Sequence, residues 1–267
     1  MDSLKSLIEL EFPKIKLVDV GAMLTTDQTR YKKLLEKDLV NVIGFEADED
    51  QYLKLQLQNK KNPEYLNYCL GDGSKKIFYI TRYPGCSSLY EPNERVINLF
   101  TGISASEKGN FNVLNKKLVQ TKRLDDIIEV KSTDLLKIDT QGSELEILKG
   151  LGEYFPLMMK IEAQIIPMYK NIPSWGELVN YLSKINYMTC EWIEIGRHIT
   201  RAPAEMDMIF IPNHLTEFGK KIILSREKEF ISLMLIFGHI KLLQNISTKL
   251  NFVANSEIQK LRDKFFN

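Results

Sequence analysis

Cysteine is scarce in this chain: Cys69, Cys86 and Cys190 are widely separated, odd in number and form no CxxC pair. That spacing supports neither a zinc ribbon nor a disulfide framework. Histidine is equally scarce, and His198, His214 and His239 show no metal-ligand spacing. An excess of one charge is lacking too, since 36 Lys plus Arg stand against 35 Asp plus Glu, for a formal net charge of +1. This balance gives no global electrostatic reason to expect nucleic acid or an anionic membrane as partner. No repeat or low-complexity segment is present. Met1 to Lys16 carries acids and lysines without an apolar core, unlike a secretory leader, so a reduced, cytoplasmic protein is expected. What remains, 44% hydrophobic and 27% charged residues in 267, is ordinary globular usage. It excludes a disordered tail, a collagen-like repeat and a small stapled scaffold.

Strand-like and helix-like patterns alternate, which predicts an α/β fold with a parallel sheet covered by helices on both faces. Expected strands are Lys16 to Val20, Val40 to Phe45, Tyr65 to Leu70, Lys76 to Thr81, Lys117 to Lys122, Leu135 to Asp139 and Leu157 to Glu162. Tyr187 to Ile195 and Glu205 to Ile211 follow as an antiparallel pair, and about seven of these nine are main strands. Helices are expected at Ser3 to Glu11, Thr26 to Lys37, Asp48 to Lys60, Leu124 to Glu129, Gly142 to Lys149 and Trp175 to Lys184. Arg82 to Glu94 reads as a long loop, and loops of that length in compact domains are commonly functional. After Pro212 the composition turns helical, so the chain divides into a domain over 1–212 and a helical appendage over 213–267. Phe230 to Phe237 is nearly apolar all round and too short to span a bilayer. It is read as buried against the domain, with a homodimer interface or membrane-surface binding as alternatives.

In an open parallel sheet, ligands bind beyond the carboxyl ends of the strands. Gly21 ends the first strand, and a residue without Cβ admits a ligand to the backbone. Glu46 ends the second, where a carboxylate can accept two hydrogen bonds from a ribose diol. Asp72 follows the third, placed for an adenine amino group; Asp48 and Asp72 are also plausible helix caps. The order describes a nucleoside-binding edge. No G-x-G-x-x-G accompanies it, which favours a cofactor without phosphates over NAD. Farther on, Lys137 and Asp139 share one face of a strand, as do Lys160 and Glu162 on the next. Adjacent strands would bring Asp139 and Glu162 together as a catalytic base. The competing reading makes these residues Lys–carboxylate bridges between strands. A divalent cation held by the two acids is conceivable but not expected.

At Leu135 to Gly150, LLKIDTQGSELEILKG resembles the signature of FkbM-type methyltransferases, approximately K-I-D-x-E-G-x-E-x-x-x-L-K-G. Lys137, Ile138, Asp139, Gly142, Glu144, Leu148, Lys149 and Gly150 match, and Gln141 stands where that family usually has Glu. VDVGA at Val18 to Ala22, GFEAD at Gly44 to Asp48 and TKRLDDII at Thr121 to Ile128 resemble further family segments, in the same order. The resemblance implies a class I, Rossmann-like methyltransferase fold whose seven-stranded sheet ends in an antiparallel strand. It implies S-adenosylmethionine as cofactor and a hydroxyl of a sugar, glycan or related natural product as acceptor. By the same resemblance, Asp19, Gly21 and Ala22 contact the methionine part of the cofactor, Glu46 with Ala47 holds the ribose, and Gly71 with Asp72 flanks the adenine. Asp139 lies at the reacting edge, and Ser87, Ser88 and Gln141 are expected to meet the acceptor. Tyr83, Tyr90, Tyr169 and Trp175 are candidates to stack on a sugar face, and His198 is the reserve base. The loop around Pro84 to Pro92 is expected to close over the acceptor. Thr25 replaces the last glycine of the family's D-V-G-A-x-x-G, which leaves a non-catalytic scaffold as the rival reading and an NAD-dependent oxidoreductase as a third.

Overall fold

The computed structural model describes residues 14–23, 35, 38–57, 62–196, 203–251 and 258. The helix expected over Ser3 to Glu11, nearly all of Thr26 to Lys37, Thr25 and His198 lie outside them.

The chain enters with β1 (Ile15–Val20) and β2 (Val40–Phe45), both β-branched runs that pair in parallel along their full length. Helix α1 (Glu49–Gln56) follows, capped by Asp48, whose side chain accepts from the amides of Asp50 and Gln51. Then come β3 (Glu64–Leu66), β4 (Lys75–Thr81), α2 (Glu94–Ile97) and β5 (Val113–Gln120). The second half holds β6 (Leu135–Ile138), α3 (Glu144–Lys149), β7 (Met158–Gln164), α4 (Trp175–Lys184), β8 (Tyr187–Ile195) and β9 (Glu205–Pro212). Three helices close the described chain: α5 (Glu217–Ser225), α6 (Glu227–Ile236) and α7 (Ile240–Leu250). None of the described helices is long and apolar enough to cross a membrane.

Seven strands form one sheet in the order β3-β2-β1-β6-β7-β9-β8. All run parallel except β9, which is antiparallel to β7 and β8. This is the Rossmann-like sheet with an antiparallel strand near its end that the family resemblance implies, and its order reverses between β1 and β6. The sequence expectation needs three corrections, the first being that the helix expected over Leu124 to Glu129 is two short 3-10 turns, Leu124–Asp126 and Ile128–Val130. Strand β3 is three residues long rather than six, and Leu70 makes only an isolated bridge to Lys122. Strands β4 and β5 stand apart as a two-stranded antiparallel ribbon, with β5 beginning four residues earlier than expected, at Val113.

The two sheet faces are covered differently. Val20, Leu136, Ile138, Met159 and Ile161 pack with α3 and α4. On the opposite face, Leu17, Val42, Leu135, Met158 and Ile211 pack with Phe230, Leu233, Met234 and Leu243 of the C-terminal helices. Phe230 to Leu235, Ser232 apart, is at most 3% exposed, so the apolar run is spent on this chain's own sheet rather than on a second copy. Each such burial contributes roughly 1.5–3 kcal/mol. Arg226, at the α5–α6 junction, donates to the Thr133 and Phe155 carbonyls and pairs with buried Asp134 at 3.0 Å. One step along the strands this face changes from apolar to charged: the Leu17↔Leu135↔Met158 row is followed by Asp19↔Lys137↔Lys160. That charged half lies toward the carboxyl edge.

Candidate active site

A cavity of about 960 Å³, open mouth included, lies at the carboxyl ends of β1, β2 and β6, where the strand order reverses. Gly21 forms its base with φ +81, and a Cβ there would stand 1.9 Å from the Asp139 carbonyl oxygen. The β1 and β6 ends therefore approach too closely for any side chain. Glu46, Ala47, Tyr68, Cys69, Leu70 and Phe78 form one wall; Lys137, Asp139, Thr140 and Gln141 form another. Met23, Tyr83, Pro84, Gly85, Ser87 and Leu89 also line it.

Glu46 is 7% exposed and accepts the Asp48 amide at 2.7 Å. Burial, reinforced by the charges of Asp48 and Asp19, pushes its carboxyl up to about 8. Asp72 behaves in the opposite way. It is exposed in a turn, accepts the Ser74 amide at 3.0 Å and hydroxyl at 2.6 Å, and pairs with Lys76 at 3.2 Å. The Ser74 hydroxyl, with Lys76 assisting, pulls it down to about 2.

Of the residues assigned to the cofactor by resemblance, Gly21, Glu46, Ala47 and Asp139 line the cavity; Asp19, Ala22, Gly71 and Asp72 do not. Asp19 is buried and holds Lys137 at 3.0 Å. Ala22 packs with Leu55 and Tyr65. Gly71 donates its amide to the Lys122 carbonyl, and a Cβ there would meet Thr121 at 3.1 Å.

The signature segment folds around Glu144, whose Oε1 accepts the Thr140 amide and hydroxyl and the Gly142 amide, all near 3 Å. This turn holds Gln141 at φ +59 and Gly142 at φ +113. Gln141 Nε2 donates to Glu162 Oε1 at 2.7 Å and to Asp139 Oδ1 at 3.3 Å, while its Oε1 accepts the Tyr169 hydroxyl at 3.1 Å. Gln164 Nε2 stands 3.4 Å from the same oxygen. The amide thus links two carboxylates at one end and is hydrogen-bonded at the other. A glutamate in its place would add a third acid to the cluster. Burial, then Asp139, raises Glu162 well above the usual carboxylate range. Glu205 at the start of β9 is pushed to about 7 by burial and by Asp139.

The expected proximity of Asp139 and Glu162 is therefore present, with Gln141 between them. The lysines form bridges between strands, as the competing reading held. Lys137 pairs with Asp19 across β6–β1, and Lys160 pairs with Asp207 of β9 at 2.8 Å rather than with Glu162. Only Asp139 of the two acids reaches the cavity, with 34% of its side chain exposed. Among the described residues no group of three or more His, Cys, Asp or Glu could hold a metal ion.

Loop 82–94 is anchored in place rather than poised to close. Ser88 exchanges backbone hydrogen bonds with Tyr79, its hydroxyl donates to the Gln141 carbonyl at 2.7 Å, and Tyr169 OH donates to the Cys86 carbonyl at 2.8 Å. Asn93 and Lys170 amides tie the far end to Met168 and Glu91. Ser88 is 1% exposed and off the cavity wall, so its expected contact with the acceptor gives way to a structural role; Ser87 does line the wall. Tyr83 lines the cavity and is 49% exposed. Tyr90 bonds Glu146, Tyr169 is buried, and Trp175 faces a separate groove beside Gly142. Residues the sequence reading passed over include Tyr68, Cys69, Phe78 and Glu205. The antiparallel direction of β9 could have flagged Glu205, because it puts the strand's first residue at the carboxyl edge of its neighbours.

A family model for the methyltransferase FkbM domain matches residues 19–188. The chain belongs to the FkbM methyltransferase family. As an FkbM member it is an S-adenosylmethionine-dependent methyltransferase. No curated protein matches it by sequence. Similar solved structures include magnesium protoporphyrin IX methyltransferase from Synechocystis PCC 6803 with bound SAM, at 9% identity, TM-score 0.40, covering 79% of this chain and 77% of that one. The plantazolicin methyltransferase BpumL in complex with SAH is another, at 12% identity and TM-score 0.37, covering 79% of this chain and 80% of that one. The cavity of this FkbM methyltransferase suits a sulfonium cofactor. Its ionisable lining includes Glu46, Asp139 and Lys137, and Lys137 is paired with Asp19, which leaves carboxyl groups rather than a free cation toward the cavity.

Proposed function

We propose that the enzyme methylates a hydroxyl group of a sugar, glycan or related small natural product. The observation that carries this reading is the Asp139 carboxylate on the cavity wall, held from behind by the Gln141 amide. When bound, S-adenosylmethionine supplies an electrophilic methyl group. Glu46 is the acceptor for the ribose diol, while Gly21, which lines the same cavity, lets the β1 and β6 ends close together beneath the cofactor. A hydroxyl is a poor nucleophile until its proton leaves, and we assign that proton to Asp139, which lines the cavity. Gln141 donates to one Asp139 oxygen, while Lys137 lies 4.0 Å from the other. Both aim the carboxylate, and positioning supplies much of the rate in an in-line displacement. Glu162 does not line the cavity, so it acts through Gln141 as a positioning residue. Tyr83 offers an exposed ring to an acceptor at the mouth, and Ser87 a hydroxyl. The three cysteines are free thiols, which supports a reduced, cytoplasmic setting.

The test is methyl transfer from labelled cofactor to a panel of hydroxylated acceptors, with the product's linkage located by NMR. An O-methyl product is expected. Asp139→Asn should lower turnover about 10²-fold or more, with S-adenosylhomocysteine affinity kept within about threefold. Methyl transfer to nitrogen or carbon, or full turnover by Asp139→Asn, would overturn the reading.

A further inference from the structure

The β4–β5 ribbon has two unlike faces. Its inner face roofs the active site: Phe78 is buried and lines the cavity, Lys76 pairs with Glu146 and Asp72, and Lys117 reaches Glu49 of α1 at 3.0 Å. Cross-strand register puts Lys75, Ile77 and Tyr79 opposite Gln120, Leu118 and Lys116 on the outer face. Ile77 is 45% exposed, Leu118 67% and Leu114, on the same side of its strand, 56%. Lys116 Nζ lies 5.1 Å from the Tyr79 ring centroid. The ribbon's sequences, KKIFYIT and VLNKKLVQ, hold four lysines and no acid.

From this arrangement we infer that the outer face of the ribbon docks on a bilayer surface carrying anionic headgroups. Aliphatic side chains enter the interface while flanking lysines meet the headgroup charge, each contributing about fivefold in affinity. The near-zero net charge argued against an anionic surface for the whole chain. The local distribution overrides it, because the ribbon's own strands carry no acid, and Asp72, Glu146 and Glu49 pair with the inner-face lysines Lys76 and Lys117. Other occupants fit the face less well. A two-fold contact with a second copy would set Lys75 and Lys116 against their own likenesses with no acid on the face to compensate. Lysines along the β5 edge oppose strand addition, which leaves the face as the contact. Seated this way, the cavity lies about one sheet thickness, roughly 10 Å, behind the headgroups. An acceptor anchored in that bilayer would then be within reach.

The experiment is flotation of the full chain with phosphatidylcholine vesicles, with and without one-third phosphatidylglycerol, at low and high salt. Binding is expected only to the anionic vesicles and should fall with salt. Lys75→Gln with Lys116→Gln should weaken it about 25-fold, and Ile77→Thr with Leu118→Thr should abolish it. None of these four residues lines the cavity, so S-adenosylhomocysteine titration checks that each variant is folded. If the apolar pair fails that check, the lysine pair and the salt series carry the test. Absence of binding to anionic vesicles, or equal binding by folded variants, would overturn the inference. So would a dimer in sedimentation that the same variants dissociate, because it would assign the face to a second copy.

Discussion

Glu46→Gln gives the most specific test of how the cavity receives its cofactor. With the cavity empty, burial holds the Glu46 carboxyl at about 8, so it is mostly protonated at neutral pH. Accepting both ribose hydroxyls requires the ionised form, and binding below that pH must expel a proton. S-adenosylhomocysteine affinity should therefore rise by about 30-fold, or about 2 kcal/mol, between pH 6.5 and a plateau about one unit above 8. Calorimetry in two buffers of different ionisation enthalpy should show proton release on the rising limb. The Gln variant should bind about 30-fold more weakly at pH 8.5 and lose both the slope and the proton release. Stability carries the opposite sign. The carboxyl lies above its unfolded value of 4.5, so its contribution is fully present below pH 4.5 and lost as pH rises through about 8. The loss has a ceiling of about 5 kcal/mol, and the unliganded Gln variant should melt higher than wild type at pH 8.5. A flat pH dependence in wild type, or an unchanged slope in the variant, would refute the role given to Glu46.

Gln141→Glu restores the residue usual in the family but puts a third acid between Asp139 and Glu162. It should cost about 2–3 kcal/mol at pH 8 and much less at pH 5.5, where the cluster can share protons; urea unfolding at the two pH values checks this. Arg226→Ala leaves buried Asp134 without its ion-pair partner and strips donors from the Thr133 and Phe155 carbonyls. A loss of about 3–5 kcal/mol in the urea midpoint analysis is expected, with the far edge of the sheet and its cavity intact. Retention of stability would show that the C-terminal helices are held by apolar packing alone.

Strand ends near the cavity were legible in the sequence because short β-branched runs stop at Gly21, Glu46 and Asp139, and strand polarity puts all three at one edge. The third strand was misjudged for a local reason. Asn67 donates to the Glu46 carbonyl at 2.8 Å and Tyr68 turns back to the Leu66 carbonyl, which lifts the chain off the sheet where apolar composition predicted its continuation. Asp72 illustrates the limit of position without direction: it follows the right strand, but Ser74 and Lys76 claim its carboxylate. Alternation set Lys137 beside Asp139 and Lys160 beside Glu162, yet only register reveals that each lysine turns to an acid on a neighbouring strand. The Gln141 network was the least legible part. Glu162, Gln164 and Tyr169 lie 21 to 28 residues from Gln141, and its left-handed backbone is held by Glu144 and buried Ser88.

The most direct measurement is calorimetric titration of the purified chain with S-adenosylhomocysteine, with NAD as control. The expected result is micromolar, one-to-one binding of S-adenosylhomocysteine alone, established despite Thr25 at the glycine position. Absence of that binding, or equal binding of NAD, would contradict the assignment of the cavity to a methyl donor and return weight to a non-catalytic scaffold or an oxidoreductase.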